Sequence, residues 1–130
     1  MSRTVRFAAA VLALVTAGAC SDDLGAGGDN SGGDFTITVG SGAQPQYTWP
    51  GGPALSVSVF RASNTTIPVW EVVDAVNRDI ASPLRHGTVP AGAQQTVPPS
   101  DLEGSLTLGV RYRVEIRLAS NQSAFQEFTP

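Results

Sequence analysis

Val110-Arg-Tyr-Arg-Val-Glu-Ile-Arg-Leu118 alternates apolar and charged side chains along its whole length. Successive side chains of an extended strand point to opposite faces. Val110, Tyr112, Val114, Ile116 and Leu118 therefore share one face, and Arg111, Arg113, Glu115 and Arg117 the other. A helix would scatter the same residues around its axis. The stretch reads as a strand with one buried and one wet face, as in an antiparallel sheet. Working outward, Phe35-Thr-Ile-Thr-Val39 alternates in the same way, with Phe35, Ile37 and Val39 on one face. Gln46-Tyr-Thr-Trp49 follows, and the turn Pro50-Gly-Gly-Pro53 leads into Ala54-Leu-Ser-Val-Ser-Val-Phe60. There Leu55, Val57 and Val59 are expected inward, with Ser56, Ser58 and Phe60 outward. Pro68-Val-Trp-Glu-Val-Val73, a piece around residues 82–89 and a closing piece at 124–129 complete the set, with a Pro/Gly/Gln loop at 90–100. Short alternating strands with frequent turn signals predict an all-β fold, a single antiparallel β-sandwich of about seven strands.

One segment conflicts with that pattern. Val69, Val72, Val73, Val76 and Ile80 recur at helical spacing behind Pro68, a residue suited to a first helical turn. Trp70, Val72 and Val73 favour strands, so a strand to about Val73 is predicted.

Leu106-Thr-Leu-Gly-Val-Arg-Tyr112 resembles the fibronectin type III pattern, in which a leucine precedes a tyrosine by six residues with a turn residue between. Such a tyrosine packs under the loop crossing between the sheets and its hydroxyl satisfies a buried backbone group. Trp49 is similar to that family's core tryptophan. The resemblance, shared by many immunoglobulin-like sandwiches, spans roughly residues 35–130 and implies a core built on Trp49, Leu106 and Tyr112.

The N-terminal stretch has a different character. Arg3 and Arg6 precede the uncharged run Phe7-Ala-Ala-Ala-Val-Leu-Ala-Leu-Val-Thr-Ala-Gly-Ala19, which ends at the chain's single cysteine, Cys20. A positive segment, an apolar segment and small residues at a cleavage point make a secretion signal. The run is short of the ~20 apolar residues that a bilayer core of ~30 Å requires, so removal is expected. Ala17-Gly18-Ala19-Cys20 resembles the lipobox of bacterial lipoproteins, although Ala17 stands where leucine is usual. The resemblance implies a diacylglyceryl group on the Cys20 sulfur and attachment to a bacterial membrane from the extracytoplasmic side. Ser21 is similar to the residue that lets lipoproteins of some two-membrane bacteria move on to the outer membrane.

From Ser21 to Asp34 only Leu24 carries a large apolar side chain, which reads as a flexible linker spanning roughly 20 Å. Asp29-Asn-Ser-Gly-Gly-Asp34 has part of a calcium loop but lacks the alternating acids and the closing glutamate. The expected organisation is a signal peptide at 1–19, the lipidated cysteine and linker at 20–34, and the sandwich at 35–130.

Charge narrows the partners. All 8 cations among the 130 residues are arginine, and without Arg3 and Arg6 they leave 6 against 11 acids, a net charge of −5. An acidic protein is poorly suited to nucleic acid or to an anionic lipid surface. Membrane contact is then expected through the lipid on Cys20, and a lipidated sulfur leaves no thiol chemistry.

Chemistry is sparse as well. His86 is the single histidine, expected on the surface, and no serine, cysteine or metal constellation forms around it. Asp74, Asp79, Asp101 and Glu103 are loop or strand-end acids. Glycoside hydrolysis would need two of them within a few ångströms in a cleft. No cofactor, metal or catalytic residue is expected. The outward arginines Arg111, Arg113 and Arg117 form a mostly basic stripe that Glu71 and Glu127 on neighbouring strands are expected to neutralise. Unneutralised, the stripe would be a contact face for an acidic partner, and Phe60 and Trp70, if exposed, would add aromatic platforms. The expected role is a non-catalytic interaction, adhesion or structural module of the cell envelope, its partner an envelope protein or a glycan. A carbohydrate-binding module is the alternative and a small carboxylate-dependent hydrolase a remote one.

Overall fold

A computed structural model describes residues 30–98 and 105–130. The signal segment, Cys20, most of the linker, and Asp101 and Glu103 lie outside the described residues.

Every regular element described is a strand: β1 Ser31–Gly33, β2 Thr38–Val39, β3 Gln46–Thr48, β4 Ala54–Arg61, β5 Asn64–Val73, β6 Leu84–Arg85, β7 Gln94–Val97, β8 Tyr112–Leu118 and β9 Ser123–Phe128. They form two antiparallel sheets, one of six strands in the order β1-β9-β8-β4-β5-β7 and one in the order β2-β3-β6. The sheets pack as a sandwich whose core lies between them, as in aligned double-sheet folds.

The strand quoted first sits inside the large sheet. β8 pairs with β4 through Val57↔Ile116 and Val59↔Val114 and with β9 through Tyr112↔Phe128 and Ile116↔Ala124. Tyr112, Val114, Ile116 and Leu118 are all buried, so its alternation is one sheet face turned to the core. From the small sheet Ile37, Tyr47 and Leu84 close the other side.

Four local expectations need correction. Ser31–Gly33, assigned to the linker, form β1 against β9, with Gly32 opposite Phe125. No side chain drives that pairing; backbone bonds carry it, among them Glu127 N–H donating to Asn30 O at 2.7 Å. Residues 94–97, placed in a loop, form β7 at the opposite edge of the sheet. These two strands bring the expected seven to nine among the described residues. Leu55 is only half-buried because a bulge between Ala54 and Ser56 shifts the register, leaving Ala54, Val57 and Val59 inward. Finally, Phe60 is 9 % exposed, buried although its parity is outward. Bulges on both sides of it distort the ladder to β5, where it faces Pro68.

The segment with helical spacing is a strand through Val73. Beyond it Asp74 ends the strand: its carboxylate accepts the N–H of Asn77 at 2.8 Å and of Asp79 at 3.2 Å, closing a turn. Ile80 returns to bridge Ala54.

Candidate functional site

The outward positions of the large sheet assemble into one face. β8 contributes Arg113, Glu115 and Arg117, flanked by Ser56 and Ser58 of β4 and by Phe125 and Glu127 of β9. The serines are short, so the face dips into a groove of about 360 Å³ between the arginines. Phe125 organises it. Its ring lies so close over Gly32 that a Cβ there would come within 2.9 Å of it, and the Arg113 guanidinium stacks on the ring 3.6 Å from its centroid. Arg113 Nε also lies 3.0 Å from Glu115 Oε1, an ion pair by distance that lacks hydrogen-bond geometry. Stacking and ion pair together hold the guanidinium in one place, at a geometry worth ~0.5–2 kcal/mol for the cation–π contact.

The stripe is neutralised in part. Arg111 donates through Nε to Glu127 Oε2 at 3.1 Å, with its Nη2 at 2.9 Å from the same oxygen. Glu71, expected to do likewise, instead accepts the Ser58 hydroxyl at 2.8 Å and the Thr96 hydroxyl at 2.6 Å. Arg117 is exposed, and among the described residues no acid pairs with it. The groove thus carries two guanidinium groups and one carboxylate on a chain whose overall charge is negative. It can receive an extended chain or a carboxylate-bearing group.

Trp70 is not part of that face. It is 1 % exposed, in the core, and its Nε1 donates to Gln95 Oε1 at 3.2 Å. Burial of both Trp70 and Phe60 removes the two aromatic platforms they would have supplied for sugar stacking. The expected core residues are in place. Trp49 is buried with Nε1 donating to Gly52 O at 3.1 Å, Leu106 is buried, and the Tyr112 hydroxyl accepts the Thr107 N–H at 3.1 Å.

His86 is the largest departure. Expected on the surface, it is 2 % exposed, its ring centroid 4.6 Å from that of Trp70 and its Nδ1 3.0 Å from the Tyr47 hydroxyl. Burial lowers its pKa from 6.5 to about 4, and burial likewise drives the Tyr47 phenol well above its ordinary value. Both are neutral at pH 7 and share one hydrogen bond. His86 also touches a second cavity of about 380 Å³, bordered by Arg61, Val97, Leu106 and Tyr112.

Backbone N–H groups hold two of the described acids, Asp74 and Asp34. The Asn77 N–H, helped by those of Asp79, Arg78 and Val76 and opposed by burial, holds the Asp74 carboxyl below the usual carboxylate range. Asp34 accepts the Ser123 N–H at 2.9 Å. Among the described residues no three His, Cys, Asp or Glu side chains gather in a metal-binding group.

Sequence reading missed Phe125. In Ser123-Ala-Phe-Gln-Glu-Phe128 the inward residues are Ala124, Gln126 and Phe128, by their pairing with β8. An aromatic at outward parity beside an arginine-rich strand was the available signal. The chain matches no protein-family profile, no curated protein and no solved structure.

Proposed function

We propose that this protein is a lipid-anchored, extracytoplasmic interaction module of a bacterial cell envelope, a fibronectin type III-like sandwich held at the membrane through Cys20. The anchor rests on the order of the N-terminal stretch, in which two arginines, an apolar run and small residues lead to the chain's single cysteine. The family resemblance is supported by the Leu106–Tyr112 corner, whose hydroxyl accepts the Thr107 N–H, and by the core position of Trp49.

The observation that carries the interaction reading is the outer sheet face. Arg113 is fixed on Phe125 beside a groove that Arg117 leaves positively charged. Pre-positioned arginine and aromatic side chains are the residue types that dominate contact energy at protein interfaces. Among the described acids, Asp34, Glu71, Asp74, Glu115 and Glu127 are committed to turns, hydroxyls and ion pairs, which favours binding over hydrolysis. A carbohydrate ligand would have to be held by the arginines and by Phe125, on whose ring Arg113 stacks, since Trp70 and Phe60 are enclosed.

A photocrosslinking residue at position 117 in the intact envelope tests the module. Discrete adducts that disappear when Arg113 and Phe125 are both replaced by alanine support it. Adducts no stronger than those from position 76, an exposed site in the turn after β5, contradict it. Incorporation of an alkyne fatty acid that Cys20→Ser abolishes tests the anchor separately.

A further inference from the structure

The strand directions sort the two ends of the sandwich. β4 and β9 run toward one end, β5 and β8 start there, and Asn30 lies there too, because its carbonyl accepts the N–H of Glu127 near the end of β9. Any tether from Cys20 therefore joins the domain at this end. Ile67 and Leu108 also lie here, each 66 % exposed, one in the bulged start of β5 and the other in the turn before β8. Single exposed apolar residues are ordinary on protein surfaces. Two at the end where the chain leaves for a membrane are a different observation.

Charge follows the same division. Among the described residues the loops at this end, 40–45, 62–67 and 107–110, contain no acid. Asp34, Asp74 and Asp79 all lie at the opposite end, where β1 and β5 finish and β4 begins. Glu127, near this end of β9, is paired with Arg111, so the described acids that face a bilayer with anionic headgroups unfavourably are those of the opposite end.

Tether length decides the orientation. Ten residues separate Cys20 from Asn30, a reach of at most ~36 Å at full extension. β5 alone, with 10 residues, is about 33 Å long. The far end could reach the bilayer only with those ten residues drawn to full length.

We propose that the end of the sandwich bearing Ile67 and Leu108 rests on the bilayer, these two side chains lying in the boundary between headgroups and acyl chains. The proposal rests on the reading of a lipid at Cys20. The acyl chains hold the protein, and the apolar contacts set its orientation. The arginine groove of the outer face then stands upright beside the membrane, open to a partner in the envelope.

The test uses the full chain, processed by its host. Once lipid caps the Cys20 sulfur, an introduced cysteine is the sole thiol. Ile67→Cys, Leu108→Cys and, at the opposite end, Val76→Cys, whose parent residue is 87 % exposed, each remove a surface side chain and leave the core intact. Each variant is labelled with nitrobenzoxadiazole and placed in phosphatidylethanolamine–phosphatidylglycerol vesicles containing a nitroxide lipid, and its intact mass is recorded. The proposal predicts quenching at 67 and 108 about twofold or more above that at 76, as for side chains ~5–10 Å into the boundary. Equal quenching at all three sites in a chain whose mass includes the lipid overturns the orientation alone. A mass without lipid overturns the anchor, and the orientation with it.

Discussion

Lowering the pH from 7.5 to 5 should weaken this domain through one side chain, His86. Its folded pKa of about 4 lies below the unfolded value of 6.5, so between those values the unfolded chain binds a proton that the folded chain refuses. Stability from His86 is therefore complete above pH 6.5, falls as the pH drops through the window, and is exhausted below about 4. The whole shift corresponds to ~3 kcal/mol. Carboxylates begin to titrate near the lower limit, and Asp74, with its lowered pKa, adds its own loss of stability at still lower pH. The clean interval is pH 6.5 to 5, where His86 alone should remove ~1.5–2 kcal/mol. The geometry agrees, because a cation between Tyr47 and Trp70 would have no anion among the contacts described. Urea unfolding across this interval, for the natural chain and for His86→Gln, gives the measurement. The variant should be less stable at pH 7.5, but its stability should change far less with pH, so the two lines converge on acidification. Parallel lines would refute a buried neutral imidazole.

Other expectations follow from single contacts. Tyr112→Phe keeps the ring beside Phe128 but leaves the Thr107 N–H without its acceptor, and should lower stability by ~1–2 kcal/mol because Thr107 is partly reachable by water; an unchanged urea midpoint removes the corner from the account. Trp49→Ala empties a large core site and should cost ~3–5 kcal/mol, and a melting temperature equal to that of the natural chain would show that Trp49 is not packed as described. At Gly33, with φ +113°, an added Cβ would collide with Ala124 Cα and the Ser123 carbonyl, so Gly33→Ala should release β1 while sparing the core. Hydrogen exchange would then accelerate at the Glu127 amide, which β1 protects, and not at the Val114 amide; equal rates in both chains would contradict the latch.

What could be read in advance was what depends on local alternation. Tyr112–Leu118 announced a half-buried strand because each side chain's burial follows its parity, and the same logic found β4 and β5. The corner at Leu106 and Tyr112 was legible because both partners of its hydrogen bond lie within six residues. β1 and β7 were not. Ser31-Gly32-Gly33 has no apolar side chain to betray a strand, and in Gln94-Gln-Thr-Val97 the informative residue, Gln95, acts through bonds to Trp70 and to Pro98 O. His86 was misplaced because Tyr47, which encloses it, is 39 residues away. Phe60 was misplaced by bulges that alternation cannot foresee. At the candidate face the arginines were legible and their organiser was not, since Phe125 acquires its role from Gly32 and Arg113 on two other strands.

The central claim is that Cys20 ties this sandwich to a membrane. Mass spectrometry of the N-terminal peptide of the protein recovered from its own cell envelope tests it most directly. The account predicts a peptide beginning at Cys20 and carrying a diacylglyceryl group on sulfur. A peptide that begins elsewhere, or one with an unmodified Cys20, would contradict it.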